Sequence, residues 1–221
     1  NSPSSHSIRL GEYNLDTNPD SQDINGITVT TNPVQEYFEG EFTVKVHDDY
    51  DNSHGSNDIA LIKLHHPARV SQANIGKIRL PFNKPTLPLT LLAIGFGRTE
   101  NFTVARILRK GSMKVVQRDE CLLQYQKVVE DEAMRPLTEK QFCLKEMNEQ
   151  IVTVTCEGDS GSPIQTVVRD GSHFTWIQFG ITSFGSDTIC GYKTTPTVAV
   201  NVYSYLNWIL DNADGVGLER E

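Results

Sequence analysis

No run of eighteen or more apolar residues occurs in the chain, so no membrane-spanning helix is encoded. Positive charge is scarce: 20 lysines and arginines stand against 28 aspartates and glutamates, for a net charge of −8. Nucleic acids and anionic membranes need a positive face, so neither is an expected partner. The four cysteines, Cys121, Cys143, Cys156 and Cys190, contain no Cys-x-x-Cys pair, which removes the commonest zinc and redox spacings. An even count without metal spacing points to disulfides and an oxidising, extracellular compartment, with three pairings open. The start, Asn1-Ser-Pro-Ser-Ser-His6, is polar and holds no secretory signal. Asn101-Phe-Thr103 is the one N-glycosylation acceptor pattern, which agrees with secretion.

What remains reads as a globular β protein. Hydrophobic residues at 38% and charged residues at 22% are ordinary for a packed domain, and 221 residues suit a pair of barrels counted as one unit. Short runs rich in β-branched and aromatic residues recur between Gly, Pro, Asn and Asp: Ile8–Leu10, Phe42–Val46, Ile59–Leu64, Leu89–Ile94 and Lys114–Val116. Pro163–Val168, Thr175–Ile181 and Thr197–Val200 continue the pattern. A single helix is predicted over Val202–Leu210, where Val202, Tyr205, Leu206 and Ile209 fall at helical spacing. The polar end, Asp211 to Glu221, is expected to fray. A boundary between two sheets is expected in Pro81 to Pro88.

The chemistry concentrates in Cys156-Glu-Gly-Asp-Ser-Gly-Ser-Pro163. A serine flanked by glycines lets the backbone bend sharply, and N–H groups beside it can face a developing oxyanion. Asp58 heads the apolar strand Ile59-Ala-Leu-Ile62 and is by itself either a turn residue or a deliberately buried charge. With Asn57-Asp-Ile-Ala-Leu-Ile-Lys-Leu64 and Ser183-Phe-Gly185, the Ser160 segment resembles the chymotrypsin family of serine proteases. The likeness runs from Arg9-Leu-Gly-Glu12 to Asn207-Trp-Ile209, and Arg9 to Asp20 is most similar to the insect clip-domain branch.

The resemblance implies an all-β fold of two packed six-stranded antiparallel Greek-key barrels, the first incomplete, with a C-terminal helix. It implies that Ser160 is the nucleophile, that Asp58 orients the catalytic histidine, and that the Gly158 and Ser160 N–H groups form the oxyanion hole. Asp159 would receive the amine made by zymogen cleavage, and Ser183-Phe184-Gly185 would pair with the substrate backbone. Val154 stands where trypsin-like members carry an aspartate, and Thr197 follows Pro196 on the pocket wall, so the pocket is read as apolar and short, with Gly185 at its mouth. The implied disulfides are Cys121–Cys143 and Cys156–Cys190; Ser21 replaces the first cysteine of a further pair found in many clip-domain relatives.

One part of the pattern is missing. The family's histidine lies in an Ala-Ala-His-Cys segment, and no such segment occurs in residues 1–221. Of the six histidines, which include His54 and His173, His47 matches a non-catalytic family position, His65 and His66 read as an exposed pair, and His6 sits nearest the expected region without its alanine or cysteine context. The whole chain is therefore expected to be a serine endopeptidase domain without its first strands and histidine segment, inactive alone. Protein or peptide substrates and protease inhibitors are the implied partners. No cofactor is expected; Glu12 and Asn14, in a loop that binds calcium in some relatives, read as a polar turn. The alternative is a non-catalytic homologue that binds or regulates proteases. The intact Ser160 and Asp58 weigh against it.

Overall fold

The computed structural model describes residues 6–51, 55–82, 87–128, 137–147, 155–185 and 196–213. The chain divides into two compact units. The first comprises Asn1–Lys45, Ala60–Lys77 and Arg106–Leu108, and the second Val46–Ile59, Ile78–Ala105 and Arg109–Glu221. The return into the second unit thus falls at Ile78, slightly ahead of the proline stretch.

The first unit holds β1 (Ser7–Leu10), β2 (Ser21–Ile24), β3 (Ile27–Thr30), β4 (Gln35–Phe38), all but the last residue of β5 (Phe42–Val46), and β6 (Ala60–Leu64). They pair as β1–β4, β2–β3 and β5–β6, in three two-stranded sheets. Sequence reading passes over β2, β3 and β4. Every β3 residue is exposed, and its Ile-Thr-Val-Thr alternation covers only four residues, too few to mark a strand without the turn before it. The signal that was present is Asn25-Gly26, whose φ values of 54° and 80° suit a tight hairpin turn. The preceding loop is built around Asp20, a buried carboxylate that accepts from Tyr13 N–H, Asn14 N–H and the Thr17 hydroxyl. Glu12 pairs with Arg9 at 2.9 Å. Among the described residues no cluster of three His, Cys, Asp or Glu side chains is placed to hold a metal ion.

The second unit contains a closed six-stranded barrel of β7 (Thr90–Gly95), β8 (Arg109–Val116), β9 (Gln141–Glu146), β10 (Pro163–Asp170), β11 (His173–Phe184) and β12 (Thr197–Asn201). Its strand order is β10-β11-β12-β9-β8-β7. Closure leaves no unpaired edge. Leu91, Met113, Leu144, Ile164 and Ala199 fill the interior, each large side chain contributing about 2 kcal/mol by leaving water. The C-terminal segment begins as a 3-10 turn over Val202–Tyr205, capped by the Asn201 side chain, and continues as a helix over Leu206–Asn212. No helix among the described residues is long and apolar enough to cross a membrane.

A second helix, Arg118–Val128, corrects the single-helix expectation. It shows little apolar stripe, because it buries chiefly Cys121 and Tyr125, one turn apart, with Leu122 beside them. The helix is fastened by the Cys121–Cys143 disulfide, which joins it to β9 with a Cα separation of 6.3 Å. Cys156 is also disulfide-bonded; Cys190, its expected partner, lies outside the described residues. Replacing Cys121 and Cys143 together with alanine is expected to cost about 3 kcal/mol, the closure entropy of a loop this long. Urea unfolding of the two proteins checks this, and equal midpoints would refute it.

Candidate active site

All the residues that come together here belong to the second unit. Asp58 follows Asn57, whose φ of 53° turns the chain before the strand begins. The Asp58 Oδ2 atom accepts a hydrogen bond of 2.6 Å from Ser183 Oγ, across 125 residues of sequence. Ser183 is buried and sits at the end of β11. Its carbonyl accepts from Ser160 Oγ at 3.3 Å. One residue therefore links the aspartate and the serine singled out from sequence, through its side chain on one side and its backbone on the other.

The loop carrying Ser160 is held by its own backbone. Asp159 N–H donates to Cys156 O, Ser162 N–H to Asp159 O, and Gly161 N–H to Thr182 O. Gly158 and Gly161 have φ values of 93° and 84°, conformations that side chains rarely adopt. No described residue accepts from the Gly158 or Ser160 N–H. Two such donors beside an exposed serine hydroxyl are what a developing oxyanion takes up.

Asp159 is the pin of this loop. Its Oδ1 accepts from Gly97 N–H at 2.8 Å and its Oδ2 from Cys156 N–H at 2.9 Å. Each carboxylate oxygen retains a lone pair for a further donor. Gly95 and Gly97 press against it so closely that an added Cβ would come within 2.0 and 2.4 Å of carboxyl atoms. Sequence reasoning missed both glycines. The available signal was Gly95-Phe-Gly97 directly after an apolar strand, since an isolated strand-end glycine often marks close backbone approach.

At the start of β12, which pairs with β11, Thr197 is buried and its hydroxyl lies 2.8 Å from that of Thr155. Tyr125 Oη donates to Pro196 O at 2.6 Å, and the Tyr125 ring meets Phe184 edge-on at 6.2 Å. Thr155 was not anticipated. Gly185 has open space around it; Val154 lies outside the described residues. Asn101 is exposed on a turn, one end of which, at Gly97 and Arg98, bonds the serine loop.

A polar network moors the Asp58 loop. Asn57 Oδ1 accepts from Tyr205 Oη at 3.1 Å and from Lys140 Nζ at 3.2 Å, while Asn57 Nδ2 donates to Asp49 O. The Lys140 ammonium also sits 5.1 Å from the Tyr205 ring centroid. His47 stacks on Trp208 at 5.0 Å and meets Tyr205 edge-on, which makes it a packing residue. His6, His65, His66 and His173 are exposed; His54 lies outside the described residues. Among the described residues, Ser160 Oγ bonds no histidine.

Burial, reinforced by the nearby Asp58 charge, pushes the Tyr205 phenol from its usual 10 up to about 12, with the hydrogen bonding at Asn57 pulling the other way. A proton held more tightly in the folded state stabilises the fold fully below the unfolded pKa. That contribution is lost as pH rises between about 10 and 12. Alkaline destabilisation over this window should therefore be shallower in Tyr205→Phe, which should also lose about 1 kcal/mol at neutral pH with its hydrogen bond. Urea midpoints measured from pH 7 to 12 test both parts; identical slopes for the two proteins would refute the first.

Residues 12–209 match the family model described as Trypsin. The chain is 31% identical over 192 residues to an ovochymase of Halocynthia roretzi, covering 85% of this chain and 11% of the relative. It is 30% identical over 210 residues to CLIP domain-containing serine protease B10 of Anopheles gambiae, covering 93% of this chain and 52% of the relative. A crystal structure of the Drosophila Grass clip serine protease of the Toll pathway superposes with a TM-score of 0.71 at 27% identity. That match covers 93% of this chain and 56% of the solved one. The chain thus spans about half the length of these two clip-domain proteins, and far less of the ovochymase.

Proposed function

Because the chain belongs to the trypsin family of serine proteases, we propose that it is the larger part of a secreted endopeptidase domain with Ser160 as its nucleophile. The observation that supports this most directly is the double use of Ser183, bonded to Asp58 through its hydroxyl and to Ser160 through its carbonyl. Ser160 Oγ attacks the substrate carbonyl, and the Gly158 and Ser160 N–H groups take up the charge that builds on its oxygen. Asp58 orients the histidine that removes the serine proton. No Ala-Ala-His-Cys segment for that histidine occurs in residues 1–221, and the proposal requires the parent protein to supply it. Asp159 receives the activating amine on the lone pairs that Gly97 and Cys156 leave open. An extracellular protease cascade, with protein substrates and protease inhibitors as partners, is the setting that the clip-domain likeness favours.

Reading the transcript upstream of Asn1 tests the proposal. An in-frame Ala-Ala-His-Cys segment is the expected result; a substituted histidine there would favour the non-catalytic, regulatory homologue. The parent protein is further expected to cleave after small or medium aliphatic residues. Val154 supplies no charge partner, Thr197 with Thr155 limits depth, and burying an unpaired arginine is costly. Peptide-library profiling of the activated protein should give kcat/KM for alanine or valine at least about 100-fold above arginine. A strong preference for arginine would overturn this pocket reading and leave the nucleophile assignment standing.

A further inference from the structure

The strand β7 leaves the barrel at Gly95 and runs into a tight hairpin that returns at Ala105, where Ala105 N–H donates to Gly97 O. Arg98 and Val104 bridge across it, and Phe102 N–H donates to Thr99 O to close its turn. One flank is stitched to the serine loop. Arg98 N–H donates to Glu157 O at 2.8 Å, the Arg98 and Glu157 side chains form an ion pair at 2.8 Å, and Gly97 N–H reaches Asp159. At the tip stands Asn101. Its backbone N–H donates to Thr99 Oγ1, whereas no described residue takes a hydrogen bond from its Nδ2. Thr99 and Thr103 hydroxyls lie 3.1 Å apart. Two apolar side chains flank the tip unburied, Phe102 at 54% exposure with φ 59°, and Val104 also at 54%.

We propose that Asn101 carries an N-linked glycan, and that this glycan screens the serine loop from other macromolecules. Asn101 lies three positions from Arg98, and Ser160 three positions from Glu157. Each of these three-step stretches spans at most about 11 Å of extended chain, so the sugar begins no more than roughly 27 Å from the nucleophile, within reach of a bulky, branched glycan. The sequence supplies the acceptor pattern Asn-Phe-Thr, the turn presents its amide outward, and the exposed Phe102 and Val104 give the first sugars an apolar surface to cover. In the transfer, Nδ2 bonds the anomeric carbon of a lipid-pyrophosphate-linked oligosaccharide. The sugar–pyrophosphate bond breaks, the lipid pyrophosphate leaves, and the amide gives up a proton. Only the catalytic meaning of the screen rests on Ser160 being a nucleophile; the glycan and the shielding of backbone do not.

The test uses residues 1–221 behind a secretory leader, in cells that glycosylate a co-expressed reporter. Peptide mass spectrometry with and without peptide N-glycosidase should find Asn101 occupied; an unmodified Asn101 beside a glycosylated reporter overturns the proposal. Limited proteolysis then compares this protein with Asn101→Gln. Cleavage by Arg- and Glu-specific endopeptidases at Arg98 and Glu157 should be at least about fivefold slower when the glycan is present. Cleavage at Arg169, six residues and about 20 Å along β10 from Pro163, should be unchanged. Equal rates at Arg98 and Glu157 refute the screen. Neither arm requires turnover, so failure of the protease reading is seen separately in peptide hydrolysis.

Discussion

Expressed as residues 1–221 and offered a peptide substrate, the chain is expected to hydrolyse it no faster than a serine protease deprived of its base. An unassisted serine hydroxyl is a poor nucleophile near neutral pH. Here the Ser160 hydroxyl donates to a backbone carbonyl, that of Ser183, which cannot accept the proton outright. His47 is committed to Trp208 and Tyr205, and no other described histidine bonds the serine. Losing a triad member leaves residual catalysis of about 10³–10⁴ over water, supplied by binding and the oxyanion donors. That remainder should survive, because Asp159 is held by Gly97 and Cys156 N–H groups and keeps the Gly158 turn in place. Hydrolysis rates and labelling by a serine-directed fluorophosphonate, measured against Ser160→Ala, decide the matter. Fast labelling and turnover that vanish in Ser160→Ala would sink the idea, and His6→Ala would then be the first variant to make.

The parts of this molecule that were legible in its sequence are those whose physics is local. Strands β5, β10 and β12 stand out because β-branched runs end at glycine, proline or aspartate, and the structure places them within a residue or two of expectation. Strand β9 escapes notice although Phe142, Cys143 and Leu144 are all buried, since burial on both faces, Phe142 and Leu144 in the barrel and Cys143 against the helix, leaves neither alternation nor a long apolar run. Helix Arg118–Val128 is equally silent, as a disulfide and a few side chains fasten it. Ser160 and Asp58 could be singled out by motif. Their link through Ser183, the moorings of Asn57 to Tyr205 and Lys140, and the hydroxyl pair of Thr155 and Thr197 join residues from 23 to 148 positions apart. Nothing in a local window encodes such pairs. The close approach of Gly95 and Gly97 to Asp159 is of the same kind, visible in sequence as two glycines and explained only by a carboxylate more than 60 residues away.

That approach predicts a large stability effect from a single methyl group. In Gly97→Ala the new Cβ would fall 2.4 Å from both Cγ and Oδ2 of Asp159, far inside contact distance, and the nearby Gly158 backbone is held in a left-handed turn. The carboxylate is the group able to move, and moving it breaks its bonds to Gly97 N–H and Cys156 N–H. Hydrogen bonds to a charged acceptor contribute about 1.5–3 kcal/mol each, so a loss of about 3 kcal/mol is expected. Urea unfolding measures it, and hydrogen exchange should show faster exchange at Gly158 to Gly161. A general backbone cost of the substitution at Gly97 would destabilise too, but it would not depend on Asp159. In an Asp159→Ala background the clash disappears, and Gly97→Ala should then cost less than about 1 kcal/mol, a coupling of at least about 2 kcal/mol between residues in contact. Additive costs in the double variant would mean that the carboxylate is not what the methyl group displaces.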